Sequence, residues 1–301
     1  MQAQYDIRGV LPVFQTPFHD DESIDFATLR KEIEWLFGLG CHGVVLGMVS
    51  EVLRLGTDER KRVVESVCEA AHGRGPVVIS AGAESTVVAV DYARHAELAG
   101  AAALMVIPPV SVGVSEDELV RYYERILDAV SIPVIVQDAS GYVGRPMSIP
   151  LQASLYQRHG ARVMFKPEAT PLGPRLSALR EAVGPDAHIF EGSGGVALVD
   201  NFRRGIDGSI PGADMADFVL ALWNALERGD AARIDALSTP LTAMNSLLHS
   251  LDAYVAVEKY LLVRRGVLRN TVVRGPTGFV LDPHTRAEVD RLFALLERAA
   301  A

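Results

Sequence analysis

Short, continuously apolar runs alternate with longer amphipathic ones along most of the chain, and that alternation predicts the architecture. The runs at 9–14, 43–47, 76–81, 103–107, 133–137, 162–166, 187–191 and 207–210 read as strands. Most lack a polar–apolar alternation, as strands covered on both faces do. Helical stretches lie between them. The clearest runs from 116 to about 130, with Leu119, Tyr122, Tyr123, Ile126, Leu127 and Val130 at helical spacing. Ser115 and Glu118 form a capping-box pattern in front of it, and Asp58 and Glu59 put negative charge at the start of another helix. Eight strand-then-helix units of about 30 residues or fewer each match the length of one βαβ crossover. They predict a (β/α)8 TIM barrel of the α/β class over residues 1–228. An open doubly wound sheet is the alternative, but no G-x-G-x-x-G follows the first strand. Helices near 231–250, 252–265 and 284–300, with a break at Gly275-Pro276, predict a helical extension over 229–301 packed on the barrel.

Composition narrows the function. The net charge of -9 argues against a nucleic-acid partner, whose phosphates are held by clustered Lys and Arg. No run of about 18 apolar residues occurs, so no membrane span is expected. The start, MQAQYDIRGV, lacks the basic then apolar pattern of a signal peptide. The two cysteines, Cys41 and Cys68, form neither a disulfide framework nor a metal-spaced pair and read as inert fillers. The eight His are scattered, with no H-E-x-x-H, so no metal site is expected. A cytoplasmic enzyme or binding protein for a small molecule is the expectation.

Barrel active sites gather at the C-terminal ends of the strands. Those ends carry Thr16, Ser50, Glu51, Gln137, Asp138, Lys166, Glu168, Ser193, Gly194, Gly195 and Pro211. Lys166 is the most informative. The chain has four Lys among its 29 Lys and Arg, and Lys31, Lys61 and Lys259 fall in helical segments that read as surface. Lys166 instead ends an apolar strand, and Pro167 keeps it extended. Burial favours the neutral form of an amine, and a neutral amine attacks a carbonyl to form a Schiff base. A plain salt bridge to Glu168 or Glu191 explains the same position equally well. The run Glu191, Gly192, Ser193, Gly194, Gly195 suits an anion cradle or merely a tight turn. Ser50 offers a hydroxyl, and Glu51 reads either as an acid/base group or as a buried partner for the next loop.

Several of these residues resemble the dihydrodipicolinate synthase / N-acetylneuraminate lyase family. The resemblance rests on Gly9, Val10, Leu11, Pro12 and Val13 with Thr16, Pro17 and Phe18, and on Gly47 and Glu51 with Leu55, Thr57, Glu59 and Arg60. It continues through Pro133, Val134 and Ile135 and through Lys166, Glu168, Ala169 and Thr170. The resemblance spans nearly the whole chain and implies a barrel enzyme, a homo-dimer or homo-tetramer, in which Lys166 forms a Schiff base with a 2-oxo acid and no cofactor is used. Departures matter too. The hydroxyl pair that holds the substrate carboxylate in the synthase and the sialic acid lyase is here Met48 and Val49. The strand-5 Tyr is Gln137, Tyr142 falls where the synthase has an Arg, and its aromatic pair after strand 4 is Val110 and Ser111. The residues Val136, Gln137, Asp138 and Ala139, with Ser50, Glu51, Phe165, Lys166, Glu168 and Pro171, look more like the 2-keto-3-deoxy-L-arabonate dehydratases.

The resemblance thus implies a Schiff-base lyase on a 2-keto-3-deoxy sugar acid, a dehydratase first and a pyruvate-releasing aldolase second. A catalytically silent binding protein is the third reading. On this view Lys166 is the nucleophile, Gln137 positions the imine or a water, and Ser50 with the Gly194 and Gly195 turn holds the carboxylate. Glu168 is the candidate base if its side chain faces the barrel axis. Thr16, Glu51, Asp138, Ser193 and Pro211 complete the expected substrate contacts.

Overall fold

A computed structural model describes residues 6–301. Its strands are β1 (Gly9–Val10), β2 (Val44–Leu46), β3 (Val77–Ser80), β4 (Ala103–Val106), β5 (Val134–Asp138), β6 (Val163–Pro167), β7 (Phe190–Glu191) and β8 (Gly208–Ser209). Each falls within an expected run or runs one residue past its end. Two parallel runs form, β1-β8-β7 and β2-β3-β4-β5-β6. Parallel bridges between Val13 and Val45 and between Phe165 and Ile189 join them and close a (β/α)8 barrel.

The helices between strands are α1 (Phe26–Gly38), α2 (Thr57–Ala70), α3 (Thr86–Ala99), α4 (Glu116–Leu127), α5 (Ile149–His159), α6 (Leu172–Val183) and α7 (Leu198–Arg203), and α8 (Ala216–Arg228) follows β8. Their starts are set by local chemistry. Ser115 Oγ accepts the Glu118 N–H, Ser148 Oγ accepts the Leu151 N–H, and Glu59 reaches back to the Gly56 N–H at 2.9 Å.

Side chains on a strand alternate between two faces, and the barrel turns that alternation into two cores. Val45, Val78, Ala103, Met105, Ile135 and Met164 fill the interior. Val44, Val77, Leu104, Val134, Val136, Val163 and Phe165 pack outward under the helices. The same parity sends Gln137 and Lys166, directly paired across β5 and β6, toward the axis.

Beyond α8 come α9 (Ala231–Asn245), α10 (Leu251–Arg264) and α11 (Pro283–Ala300). α9 packs on α8 and α11, whereas α10 lies against two short 3-10 turns, Met48–Ser50 after β2 and Ala213–Met215 after β8. The C-terminal helices therefore do more than cover the barrel wall: α10 forms one side of its mouth. Among the described residues, no helix is long and apolar enough to cross a membrane, and no three His, Cys, Asp or Glu are grouped to hold a metal ion.

Candidate active site

The C-terminal mouth holds a pocket walled by the ends of the barrel strands and by α10. Lys166 and Glu168 stand at its base on and just after β6, both 4% exposed. Lys166 Nζ donates to Glu168 Oε1 at 2.8 Å, and Gln137 Nε2 donates to Glu168 Oε2 at 2.6 Å. Position 168 shares the parity of 166, so its carboxyl faces the axis and bridges the other two. Gly192 makes this possible: a Cβ there would lie 2.5 Å from both Lys166 Cε and Glu168 Oε1. Burial raises the Glu168 carboxyl above its ordinary value, opposed by the Lys166 ammonium and by its hydrogen bonds to Lys166 and Gln137. A carboxyl so placed is suited to exchange a proton with the amine or with a ligand bound to it.

Aromatic and acidic groups form the rest of the wall. Tyr142 donates to the Gly192 carbonyl at 3.3 Å and meets Tyr254 of α10 edge-on, with 5.6 Å between ring centroids. Burial pushes the Tyr142 phenol well above its usual value and the Tyr254 phenol up to about 12, so both remain hydrogen-bond donors at neutral pH. Asp214 and Glu258 line the same pocket beside Gly212, and Asn245, Leu248 and Leu251 come from the end of α9 and the start of α10. Lys166 is the one Lys or Arg among the described lining residues.

The residues expected at the site separate into two groups. Lys166, Glu168, Gln137, Gly194 and Pro211 line the pocket. The other six do not, and each has a local reason. Asp138 has the parity of Val134 and Val136, so it points outward, where it accepts from Ser140, Met147 and Arg175. Thr16 donates to the Ser50 carbonyl at 2.6 Å. The Ser50 hydroxyl is held between the Phe14 carbonyl and the Gly47 N–H, leaving Met48 and Val49 to face the pocket. Glu51, in the left-handed region at φ 57, turns away to pair with Lys259 at 2.5 Å and to accept the Arg274 N–H. Glu51 is thus buried and partnered, but by Lys259 and Arg274 of the C-terminal extension rather than by the next loop.

The Gly-rich turn after β7 also differs from an open anion cradle. Glu191 accepts both the N–H and the hydroxyl of Ser193, and the Ser193 hydroxyl in turn accepts the Ala197 N–H. Gly194 and Gly195 take left-handed backbone angles, φ 67 and 101, that favour glycine. Gly194 faces the pocket and Asn245, whereas Gly195 packs toward Leu241 and Val219.

Lys259 corrects the expectation that the helical lysines are surface residues. It is 1% exposed, and Nζ donates to Glu51, the Thr16 carbonyl and the Val272 carbonyl. Tyr254, Glu258 and Asn245 are pocket-lining residues that sequence reasoning missed, since periodicity reads α9 and α10 only as an extension. Tyr142, Asp214 and Gly192 follow strand ends, where such residues are sought.

Comparison with known proteins agrees with this architecture. A profile of the dihydrodipicolinate synthetase family matches residues 6–294. A 4-hydroxy-tetrahydrodipicolinate synthase of Rhizobium meliloti is 31% identical over 285 residues, covering 94% of this chain and 96% of that protein. One from Methylobacterium radiotolerans is 33% identical over 288 residues, covering 95% of each. Among solved structures, an E. coli K12 prophage protein of the dihydrodipicolinic acid synthase family, in complex with pyruvate, superposes with a TM-score of 0.88 at 24% identity, over 97% of this chain and 99% of that one. A Ruminococcus gnavus sialic acid aldolase does so with a TM-score of 0.85 at 20% identity, over 97% of each chain. With a barrel of this form and a match over nearly its whole length, the chain belongs to the dihydrodipicolinate synthetase family.

Proposed function

We propose that the protein is a Schiff-base lyase that dehydrates a 2-keto-3-deoxy sugar acid. The observation that carries this reading is the convergence of Lys166 and Gln137 on the raised carboxyl of Glu168, inside the pocket. An amine and a proton-exchanging group 2.8 Å apart are the two parts that imine chemistry needs.

Glu168 takes a proton from Lys166, and the neutral amine attacks the C2 carbonyl. The carbinolamine loses its hydroxyl as water, protonated by Glu168, and the resulting iminium acidifies C3. The Glu168 carboxylate removes a C3 proton, the electron pair moves through the enamine, and the C4 hydroxyl departs with that proton as water. The unsaturated iminium then loses a proton from C5 and gains one at C3, and the C4–C5 enol so formed tautomerises to the aldehyde. A further water hydrolyses the iminium, releasing the 2-oxo-acid semialdehyde and freeing Lys166. The iminium is itself the electron sink, so this route calls for no cofactor. Gln137 holds Glu168 by its second oxygen and thereby keeps the first toward Lys166.

The curated relatives quoted above are named as synthases, and three features support a different reaction here. Gln137 has no proton to exchange where the synthase resemblance implies a Tyr. Met48 and Val49 replace the implied hydroxyl pair, and Val110 and Ser111 replace the implied aromatic pair. The test is turnover of a panel of 2-keto-3-deoxy acids, assayed separately for a 2-oxo-acid semialdehyde and for pyruvate. The semialdehyde is expected. Pyruvate as the main product would replace dehydration by aldol cleavage on the same lysine, and binding without turnover would leave only a binding protein.

A further inference from the structure

Around the mouth from Lys166, past the end of β7, the wall after β8 carries a second group of ionisable side chains that the chemistry above does not use. Asp214 lies in the 3-10 turn Ala213–Met215 and is 1% exposed. The residue lines the pocket, and its Oδ2, closed off from solvent, has no hydrogen-bond partner among the described residues. Glu258, on α10, is 3% exposed and accepts from Gln15 Nε2 at 2.5 Å. Both carboxyls close on Gly212: a Cβ there would lie 2.6 Å from Glu258 Oε1 and 2.8 Å from Asp214 Oδ1.

Among the described residues, no Lys or Arg forms an ion pair with either carboxyl, although the Arg265 Nε has no hydrogen-bond partner of its own. Arg265, which bears on Asp214, directs both terminal nitrogens to Asp217 at 2.7 and 3.1 Å. Lys259, next to Glu258 in sequence, is engaged by Glu51 and two carbonyls. Glu32, buried nearby, adds negative rather than positive potential at Glu258. Burial first, and then mutual repulsion, raises the Glu258 carboxyl well above its ordinary range; burial, opposed by Arg265, brings Asp214 to about 7. Two such groups share protons and titrate as a pair.

A carboxyl pair that keeps a proton presents a donor beside an acceptor, and Glu258 Oε1 and Asp214 Oδ1, which close on the pocket-lining Gly212, are the atoms offered to a ligand. An alcohol hydroxyl matches that pattern because it donates and accepts at one oxygen. An ammonium needs both carboxyls ionised, and a carboxylate meets repulsion from whichever is ionised. We infer that Asp214 and Glu258 form a hydroxyl-recognition site, through which the pocket selects 2-oxo acids with a hydroxylated tail over unsubstituted ones. This rests on Lys166 being the imine-forming residue.

The test is borohydride trapping at Lys166 with three probes: pyruvate, 2-oxopentanoate and 2-keto-3-deoxy-L-arabonate. The two longer acids have the same carbon count and differ in their hydroxyls. Asp214→Leu keeps the side chain's shape and removes its polarity, and Asp214→Asn mimics the protonated acid. In Asp214→Leu the half-saturating concentration of the hydroxylated probe should rise at least ten-fold, while those of the other two change less than two-fold. Asp214→Asn should stay within about three-fold of the parent for all three. Pyruvate trapping also reports that each variant is folded, and Asp214→Ala replaces the Leu variant if that one fails to fold. Equal shifts for all three probes, or none for the hydroxylated one, would overturn the hydroxyl site while leaving Lys166 in its role. No trapping of any probe by the parent protein would instead overturn the imine reading, and this inference with it.

Discussion

At the end of β6 and along α10 the fold buries two lysine–glutamate pairs, Lys166 with Glu168 at 2.8 Å and Lys259 with Glu51 at 2.5 Å. By burial and distance they are near equals. They differ in what surrounds the amine. Lys259 Nζ directs its three donors to Glu51, the Thr16 carbonyl and the Val272 carbonyl, and it lies 4.4 Å from the centre of the Phe18 ring. It ties the segment after β1, the turn after β2 and the stretch between α10 and α11 to α10 itself. Among the described residues Lys166 Nζ has one hydrogen-bond partner, Glu168, and the residue lines the pocket. A buried amine becomes chemically available through unfilled valences beside open space, and burial with an ion pair does not suffice.

Exchanging the lysines tests that distinction most sharply. Lys166→Arg should abolish both borohydride labelling and turnover, by at least about 10³-fold in kcat, because Arg keeps its charge and is no nucleophile. In the parent protein the label should sit on the peptide containing Lys166 and never on that containing Lys259. Label on Lys259, or turnover surviving Lys166→Arg, would dissolve the comparison. The partner carboxyls come next. Glu168→Gln should lower kcat by about 10²–10⁴ and slow, without abolishing, the labelling of Lys166 by pyruvate. An unchanged kcat would remove Glu168 from the proton transfers.

The structural pair should fail in a different currency. Lys259→Met leaves Glu51 buried without its cation and should cost about 3–5 kcal/mol in unfolding free energy, read by urea denaturation. Adding Glu51→Gln should recover part of that loss, while the folded fraction of either variant still labels at Lys166. Labelling lost from folded Lys259→Met would show that the two pairs are not separable.

The contrast between the pairs was only half legible in the chain. Strand period marks Lys166 and Gln137 as inward, since Ile135 and Met164 precede each by two, and it equally marks Asp138 as outward with Val134 and Val136. Ser50 could not be placed that way. A 3-10 turn begins at Met48, strand parity ends there, and the turn brings Met48 and Val49 to the pocket instead. Lys259 was hidden for a related reason. A helical pattern shows that a side chain lies on some face, but only the path of the chain between α9 and α10 decides that this face meets the barrel mouth. The same long-range approach delivers Tyr254, Glu258 and Asn245, which no spacing near Lys166 could announce.

Gln137 sets the next smaller effect. Its amide donates to the oxygen of Glu168 that Lys166 does not use, so it orients that carboxyl without touching the amine. Gln137→Ala should lower kcat roughly ten-fold, the range of a lost hydrogen bond to a charged group, with labelling preserved. Labelling abolished in a folded Gln137→Ala protein would make the amide part of imine formation itself.

A third buried glutamate extends the comparison to a carboxyl without a lysine of its own. Glu32 on α1 is fully buried and accepts the Gln15 N–H at 2.8 Å, but its Oε2 has no partner among the described residues. The nearby ammonium, Lys259, is held by Glu51. Burial therefore dominates and raises Glu32 to about 8, against the Gln15 hydrogen bond and the pull of Lys259. An unfolded Glu titrates near about 4.3. The folded protein thus holds this proton more tightly than the unfolded chain, so the stability linked to it is complete below about pH 4 and is lost as pH rises toward about 8. Asp214, at about 7, and His188, raised by its hydrogen bond to Asp207, act in the same direction, so the slope belongs to several groups. Glu32→Gln removes one of them while keeping the shape of the protonated acid. The parent should melt at a lower temperature at pH 8 than at pH 5, and the variant should show a drop smaller by a few degrees. Identical drops would mean that Glu32 is already ionised in the folded protein at pH 5, with Lys259 serving two carboxylates rather than one.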